Sequence, residues 1–221
     1  MHDSIKFSGL IIAAMCVALA GCASSVQPTA YTGLASSPYL THDQADKTGR
    51  VPYSFATQTD WRKYTKVILE PVVVYAGNDN QFGEMSDQDR KTLAKYAETK
   101  FAEKLKTRFQ LTTESAQSTL RLRVTITGAK TTTTFLGPFS RIDIGGNIYD
   151  AVQTVRGGEG AFTGSVIYAV EIYDASTNRL LNAFVTKQYP HPYNIGATFG
   201  SLSASKAGID KGADALVAEL Q

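Results

Sequence analysis

Apolar and polar residues follow regular periods along most of the chain after about residue 60. From residue 67 to residue 75 apolar residues occupy both faces, which is typical of a strand buried on both sides. Pro71 interrupts this stretch, so it must lie at a bulge, at an edge position or between two short strands. Three later segments alternate and predict further strands: 119–127, 162–173 and 179–187.

The alternation also assigns the strand faces. Leu120, Leu122, Val124 and Ile126 share one face of the 119–127 strand, and the other face is polar. We expect that polar face, with Arg121, Arg123 and Thr125, to be in contact with solvent. Residues 174–178 have turn composition and join the last two strands into a hairpin.

Two segments show the recurrence of an amphipathic helix. The first runs from Ser86 to Phe109, and Ser86 can cap its amino terminus. Its apolar stripe is Leu93, Ala97, Phe101, Leu105 and Phe109. The second runs from Leu202 to Leu220. The elements predict an α+β fold: a mostly antiparallel sheet, with a long helix after the first strand and a C-terminal helix packed on one face.

Between residues 130 and 160 the periodic pattern is lost and glycines punctuate the chain. A long irregular insertion in a compact domain is often functional. We therefore predict that this glycine-rich insertion forms a partner-binding surface. Its candidate contact residues are Phe135, Phe139, Ile142, Ile148 and Tyr149.

The amino terminus has the pattern of an export signal. Lys6 precedes a mostly apolar run from Phe7 to Leu19, and small residues follow it. The run is too short to span a bilayer, which requires about 20 apolar residues. No later segment is long or apolar enough to do so.

Leu19-Ala20-Gly21-Cys22 resembles the lipobox of bacterial lipoproteins. The resemblance implies cleavage between Gly21 and Cys22, and acylation of Cys22 with several chains of the palmitate type. Each buried CH₂ contributes about 0.8 kcal/mol, so two or more chains anchor a protein stably. Ala23, in place of an aspartate, implies the outer membrane facing the periplasm, with the inner membrane as the alternative. An ordinary secretory signal would instead leave Cys22 unmodified.

These features predict a signal peptide over 1–21, a lipidated cysteine and flexible tether over 22–59, and a periplasmic α+β domain over 60–221. The tether is rich in small and polar residues. As a flexible coil it would span roughly 35 Å and hold the domain off the membrane. Two aromatic spots, 31–34 and 39–40, are candidates to dock back onto the domain.

Composition and charge narrow the functional classes. The 221 residues are 43% hydrophobic and 19% charged, as in ordinary globular proteins. Lys plus Arg is 22 and Asp plus Glu is 20, which gives a net charge of +2 without a basic cluster. Nucleic-acid binding therefore has no support. With Cys16 removed and Cys22 acylated, no disulfide is expected in the mature monomer.

The residue patterns of catalysis and metal binding are not found. The expected mature chain has only two histidines, His42 and His191, and neither lies in a ligand motif. The loop 189–193 around His191 is interpreted as packing, with peptide contact as the alternative. Gly208-x-x-x-Gly212 predicts close packing of the last helix on the sheet. We expect no metal, no cofactor and no catalytic residues, and hence a protein that is not an enzyme.

Three short motifs resemble uncharacterised proteobacterial lipoproteins grouped as domain of unknown function 3313 (DUF3313). They are Tyr31-Thr32-Gly33-Leu34, the stretch Asp60-Trp61-Arg62-Lys63-Tyr64 with 67–72 after it, and the hairpin residues 171–174 and 177–181. The likeness covers most of the mature chain. It implies an envelope lipoprotein and supplies no activity to carry over.

The leading hypothesis is a lipid-anchored, non-catalytic protein that binds another envelope component, either a protein or a cell-wall polymer. One alternative is an oligomeric, membrane-inserting secretion or assembly lipoprotein, with residues 130–160 supplying the inserted hairpin. A less favoured alternative is an envelope hydrolase. The sequence names neither the partner nor the oligomeric state.

Overall fold

The computed structural model describes residues 26–131, 164–190 and 200–221. Within these residues, one eight-stranded sheet carries two α-helices on one face. The strands are β1 (Thr41–His42), β2 (Tyr53–Ala56), β3 (Lys66–Leu69), β4 (Val73–Val74), β5 (Gln110–Leu111), β6 (Thr119–Lys130), β7 (Ser165–Asp174) and β8 (Leu180–Gln188). The helices are α1 (Asp87–Leu105) and α2 (Ser203–Glu219).

The sheet differs from the predicted one in strand direction and in the place of the first helix. Its order is β1-β2-β8-β7-β6-β3-β5, and β4 also pairs with β6. Strand β3 runs parallel to β5 and β6, and β4 runs parallel to β6, so the sheet is mixed rather than mostly antiparallel. The prediction that a long helix follows the first strand is wrong, since four strands precede α1.

Pro71 explains part of this difference. Strand β3 ends at Leu69 and β4 begins at Val73, so the proline lies between two short strands. Proline has no backbone N–H and cannot donate in the middle of a sheet. Val73 is 49% exposed. The stretch is therefore not a strand buried on both sides.

The apolar stripe of α1 lies against the sheet as predicted. Ser86 caps the helix by accepting a hydrogen bond from the backbone N of Asp89 at 3.1 Å. Leu93, Ala97, Phe101 and Leu105 are all buried in the main core. The opposing core residues on β7 are Val166, Tyr168, Val170 and Ile172.

Helix α2 packs closely on the sheet, where β7 begins and β8 ends, through its two glycines. A Cβ on Gly208 would lie 2.9 Å from the backbone oxygen of Gln188, and one on Gly212 would overlap the hydroxyl of Tyr168. Both glycines are buried. The close packing predicted from Gly208-x-x-x-Gly212 is confirmed.

Gly212→Ala is expected to lower the free energy of unfolding by about 1–3 kcal/mol, because the added methyl group overpacks the core against Tyr168. In an exposed helix the same change would stabilise by about 1 kcal/mol. Urea unfolding followed by circular dichroism measures the difference. The double variant with Tyr168→Phe removes the overlapping hydroxyl and should recover part of the loss. Wild-type stability in Gly212→Ala would contradict the packing.

The other face of the sheet is covered by the N-terminal segment, residues 26–56. Tyr31 is 1% exposed and packs edge-on against Tyr75 with 5.4 Å between ring centroids. Its hydroxyl donates to Gln81 at 2.5 Å, and burial raises the pKa of Tyr31 to about 12. Farther along the segment, β2 pairs with β8.

This covering corrects two expectations from the sequence. The sequence predicts a flexible tether over 22–59, but within it residues 26–56 pack on the sheet and extend it by two strands. The sequence also predicts that the face with Arg121, Arg123 and Thr125 is in contact with solvent. Thr125 is buried and both arginines are half-buried, because the N-terminal segment lies over this face.

Candidate functional site: an arginine pocket

A cavity of about 570 Å³ opens on the covered face, where β6 begins and the β7–β8 hairpin turns. Three arginines reach it, Arg121 and Arg123 from β6 and Arg179 from the hairpin. We call this cavity the arginine pocket. Its other lining residues are Ala35, Tyr39, Phe55, Thr57, Tyr173, Asn178 and Leu180. Its volume lies within the range of small-molecule sites.

Two of the arginines share one carboxylate. Glu70, just after β3, accepts from Arg121 at 3.1 Å and from Arg123 at 2.8 Å. The side chains of Glu70, Arg121 and Arg123 are each about a quarter to a third exposed. The hydrogen bonds to Glu70 raise the pKa of Arg123 further above its usual value. The guanidinium planes are therefore held in place while part of each remains open to the pocket.

A second carboxylate lies beneath the N-terminal segment. Glu171, on β7 directly opposite Arg123, is 1% exposed. One oxygen accepts from the backbone N of Ser36 at 2.6 Å, and the other lies 3.7 Å from Arg123. The buried Glu171 carboxylate therefore links the N-terminal segment, which forms one side of the pocket, to Arg123 on β6.

The hairpin turn positions the third arginine. The Asp174 carboxylate accepts from Ser176, Thr177 and Tyr64. Burial alone would raise the pKa of Asp174, but these hydrogen bonds hold it well below its usual range.

Asn178 follows in the left-handed region with φ 59° and accepts from Arg121. Arg179 comes next and is exposed. Its guanidinium has no hydrogen-bond or ion-pair partner among the described residues.

Aromatic rings line two sides of the pocket. Tyr173 lies beneath Arg121, whose guanidinium carbon is 4.6 Å from the ring centroid. Burial raises the pKa of Tyr173 to about 12, so the ring stays neutral. On the N-terminal segment, Tyr39 is 53% exposed and its ring lies 5.4 Å from that of Phe55. The pocket thus combines open guanidinium donors with exposed aromatic surface.

This combination is suited to holding an anion. Planar guanidinium groups bind carboxylates and phosphates through paired hydrogen bonds. No group of His, Cys, Asp and Glu among the described residues could hold a metal ion. No helix in the described part of the chain is long and apolar enough to cross a bilayer.

The sites predicted from the sequence do not include the arginine pocket. Gly21, Cys22 and His191 lie outside the described residues, as do Phe135, Phe139, Ile142, Ile148 and Tyr149. His42 is on β1, where its ring centroid lies 5.8 Å from that of Tyr53. The arginine pocket was not predicted from the sequence. Its available signal was a polar strand face with two arginines at alternate positions, followed by a hairpin with a third.

Glu171→Gln is expected to destabilise the protein by about 1–3 kcal/mol, since a buried charge-assisted bond to Ser36 and the contact with Arg123 are weakened. Limited proteolysis should also cut the N-terminal segment sooner. Glu103→Gln, which breaks an exposed ion pair on α1, is the control and should change neither measurement. Equal behaviour of the two variants would contradict the role given to Glu171.

The two helices on one face and the arginine pocket on the other define an α+β domain with a basic cavity open to solvent. The chain belongs to the family described as "Protein of unknown function (DUF3313)", whose profile matches residues 30–216. The family membership expected from the sequence motifs is thereby confirmed. The match begins inside the N-terminal segment, in agreement with its packing on the sheet. No curated protein matches the chain.

Several solved structures are distantly similar. A PelC dodecamer from Paraburkholderia phytofirmans is 10% identical with a TM-score of 0.37, covering 76% of this chain and 90% of that one. The hypothetical protein CT253 from Chlamydia trachomatis is 9% identical with a TM-score of 0.33, covering 71% and 94%. A putative neuraminyllactose-binding hemagglutinin homolog from Helicobacter pylori is 9% identical with a TM-score of 0.34, covering 82% and 91%.

Proposed function

We propose that this protein is a lipid-anchored, non-catalytic component of the cell envelope that binds another envelope component through the arginine pocket. The observation that carries the proposal is the convergence of Arg121, Arg123 and Arg179 on one open cavity. The membrane partner in this proposal is lipid, through acylated Cys22, at the periplasmic face of the outer membrane.

The arrangement favours binding over packing. Glu70 accepts from Arg121 and Arg123 and so uses part of their hydrogen-bond donors. Arg179 has no such partner in the described part of the chain, yet it lines the same cavity. The exposed guanidinium of Arg179 and the exposed ring of Tyr39 are of the residue types that dominate binding interfaces.

In-cell photo-cross-linking tests the proposal. A photoreactive phenylalanine analogue in place of Tyr39, which is exposed at the pocket, should form adducts with the bound component. Arg179→Glu should reduce these adducts about tenfold, because a charge-assisted hydrogen bond is replaced by repulsion.

Lys91→Glu is the matched control for that experiment. Lys91 is exposed on α1, on the opposite side of the sheet, and the charge change is the same. Adducts that persist in Arg179→Glu, or that fall equally in Lys91→Glu, would contradict binding in the pocket.

A further inference from the structure

The chain enters the described fold at one end of the sheet. The backbone oxygen of Val26 accepts from the buried Lys187 on β8 at 2.8 Å. Val26 also lines a cavity with Lys130, at the end of β6, and Ser165, at the start of β7. The amino-terminal end of β7 therefore lies beside the point where the chain arrives from Cys22.

The distance from the proposed anchor to this point is short. Val26 follows Cys22 by four residues, which can span at most about 14 Å. A flexible tether of the length predicted from the sequence would instead span roughly 35 Å. Because residues 26–56 are packed on the sheet, the end of the domain at Val26 must remain close to the membrane surface if Cys22 is acylated.

The arginine pocket lies at the opposite end of the same strands. Strand β7 begins at Ser165 beside Val26 and ends at Asp174 in the hairpin that carries Arg179. Its 10 residues rise about 3.3 Å each, so the two ends are roughly 30 Å apart. When the strands stand upright on the membrane, this separation keeps the headgroups of the anchoring membrane away from the pocket.

Resting on the proposed function, we infer that the arginine pocket faces away from the anchoring membrane and binds a carboxylate group of the cell-wall polymer. The charges at the site favour an anion. Among the described residues, the cavity is lined by three guanidinium groups and by no carboxylate. The distance of the pocket from the anchored end of the domain favours an anion of the cell wall over a membrane headgroup.

The geometry of the arginines agrees with a carboxylate ligand. The Glu70 carboxylate already bridges Arg121 and Arg123, so this pair is shaped for such a group. Arg179 offers a further planar fork from across the pocket. The exposed ring of Tyr39 can pack against the uncharged part of the polymer next to the acid.

Sedimentation with purified cell-wall sacculi tests the inference. The full lipidated protein in nanodiscs of neutral phospholipid should co-sediment with untreated sacculi. Sacculi whose free carboxyl groups have been converted to amides should retain about tenfold less protein, and Arg179→Glu should reduce binding to untreated sacculi by a similar factor. Lys91→Glu should bind like the wild type.

Two results would overturn the inference. One is binding to sacculi that does not change on amidation. The other is absence of binding to sacculi together with Arg179-dependent binding to phosphatidylglycerol vesicles or to an acidic protein. If cross-linking from position 39 still depends on Arg179 in either case, only the assigned ligand fails. If that dependence is also absent, the proposed function fails with it.

Discussion

Phe101→Ala is expected to lower the free energy of unfolding by about 3–5 kcal/mol. Phe101 is 1% exposed and lies at the centre of the core between α1 and the sheet. Its ring meets that of Tyr168 edge-to-face, with 5.7 Å between centroids and 81° between planes. Truncation removes this contact and leaves a cavity between α1 and the sheet, and the backbones of these elements cannot move close enough to fill it.

Chemical denaturation of the wild type and the variant, followed by circular dichroism, measures this effect. Phe101→Leu keeps most of the volume and should cost less than about 1.5 kcal/mol. Thr99→Ala, at an exposed position of the same helix, should stay within about 0.5 kcal/mol of the wild type. A Phe101→Ala protein as stable as Thr99→Ala would contradict the packing of α1 on the sheet.

Helix α1 and the hairpin could be predicted because burial on one face imposes a period on the sequence. The stripe from Leu93 to Leu105 is buried as its spacing requires. The alternation in β6, β7 and β8 likewise places the predicted residues in the core. The Asp174–Asn178 turn is held by local hydrogen bonds that turn composition signals.

The docking of residues 31–34 on the domain, which the aromatic and apolar side chains suggested, is confirmed. The polar contacts that hold the N-terminal segment could not be predicted, because they join residues that are distant in the sequence. The backbone N of Thr32 donates to Asp79, and that of Gly33 donates to the hydroxyl of Tyr75. Such pairs leave no period in the sequence. A Cβ on Gly33 would lie 2.8 Å from that hydroxyl, so the glycine in the family motif 31–34 allows the close approach.

The arginine pocket was hidden for the same reason. Alternation correctly placed Arg121 and Arg123 on the face away from the helices, where Tyr173 and Glu171 are their partners on β7. The sequence pattern did not indicate that the N-terminal segment lies over that face. Without it, two arginines on a polar strand face are read as solvated, and a cavity with a third arginine is not expected.

Cys22→Ser is expected to abolish acylation of the protein and to remove it from the outer-membrane fraction. Two or more acyl chains make the difference between marginal and stable membrane binding, and a serine hydroxyl cannot replace the thiol that would receive the lipid. Cell fractionation with immunodetection measures the location. Mass spectrometry of the amino-terminal peptide measures the modification.

Cys16→Ser is the matched control, because that cysteine lies in the segment expected to be removed. The Cys16→Ser protein should have the same location and the same lipid mass as the wild type. An unmodified Cys22 in the wild-type protein would contradict the anchor. It would also remove the reason for placing Val26 near the membrane. The proposed orientation of the arginine pocket depends on the short link of four residues from Cys22 to Val26. A long Gly/Ser linker inserted between Ala23 and Val26 separates the acylation of Cys22 from the orientation of the arginine pocket. The linker should preserve acylation, but the pocket should no longer be held facing away from the membrane.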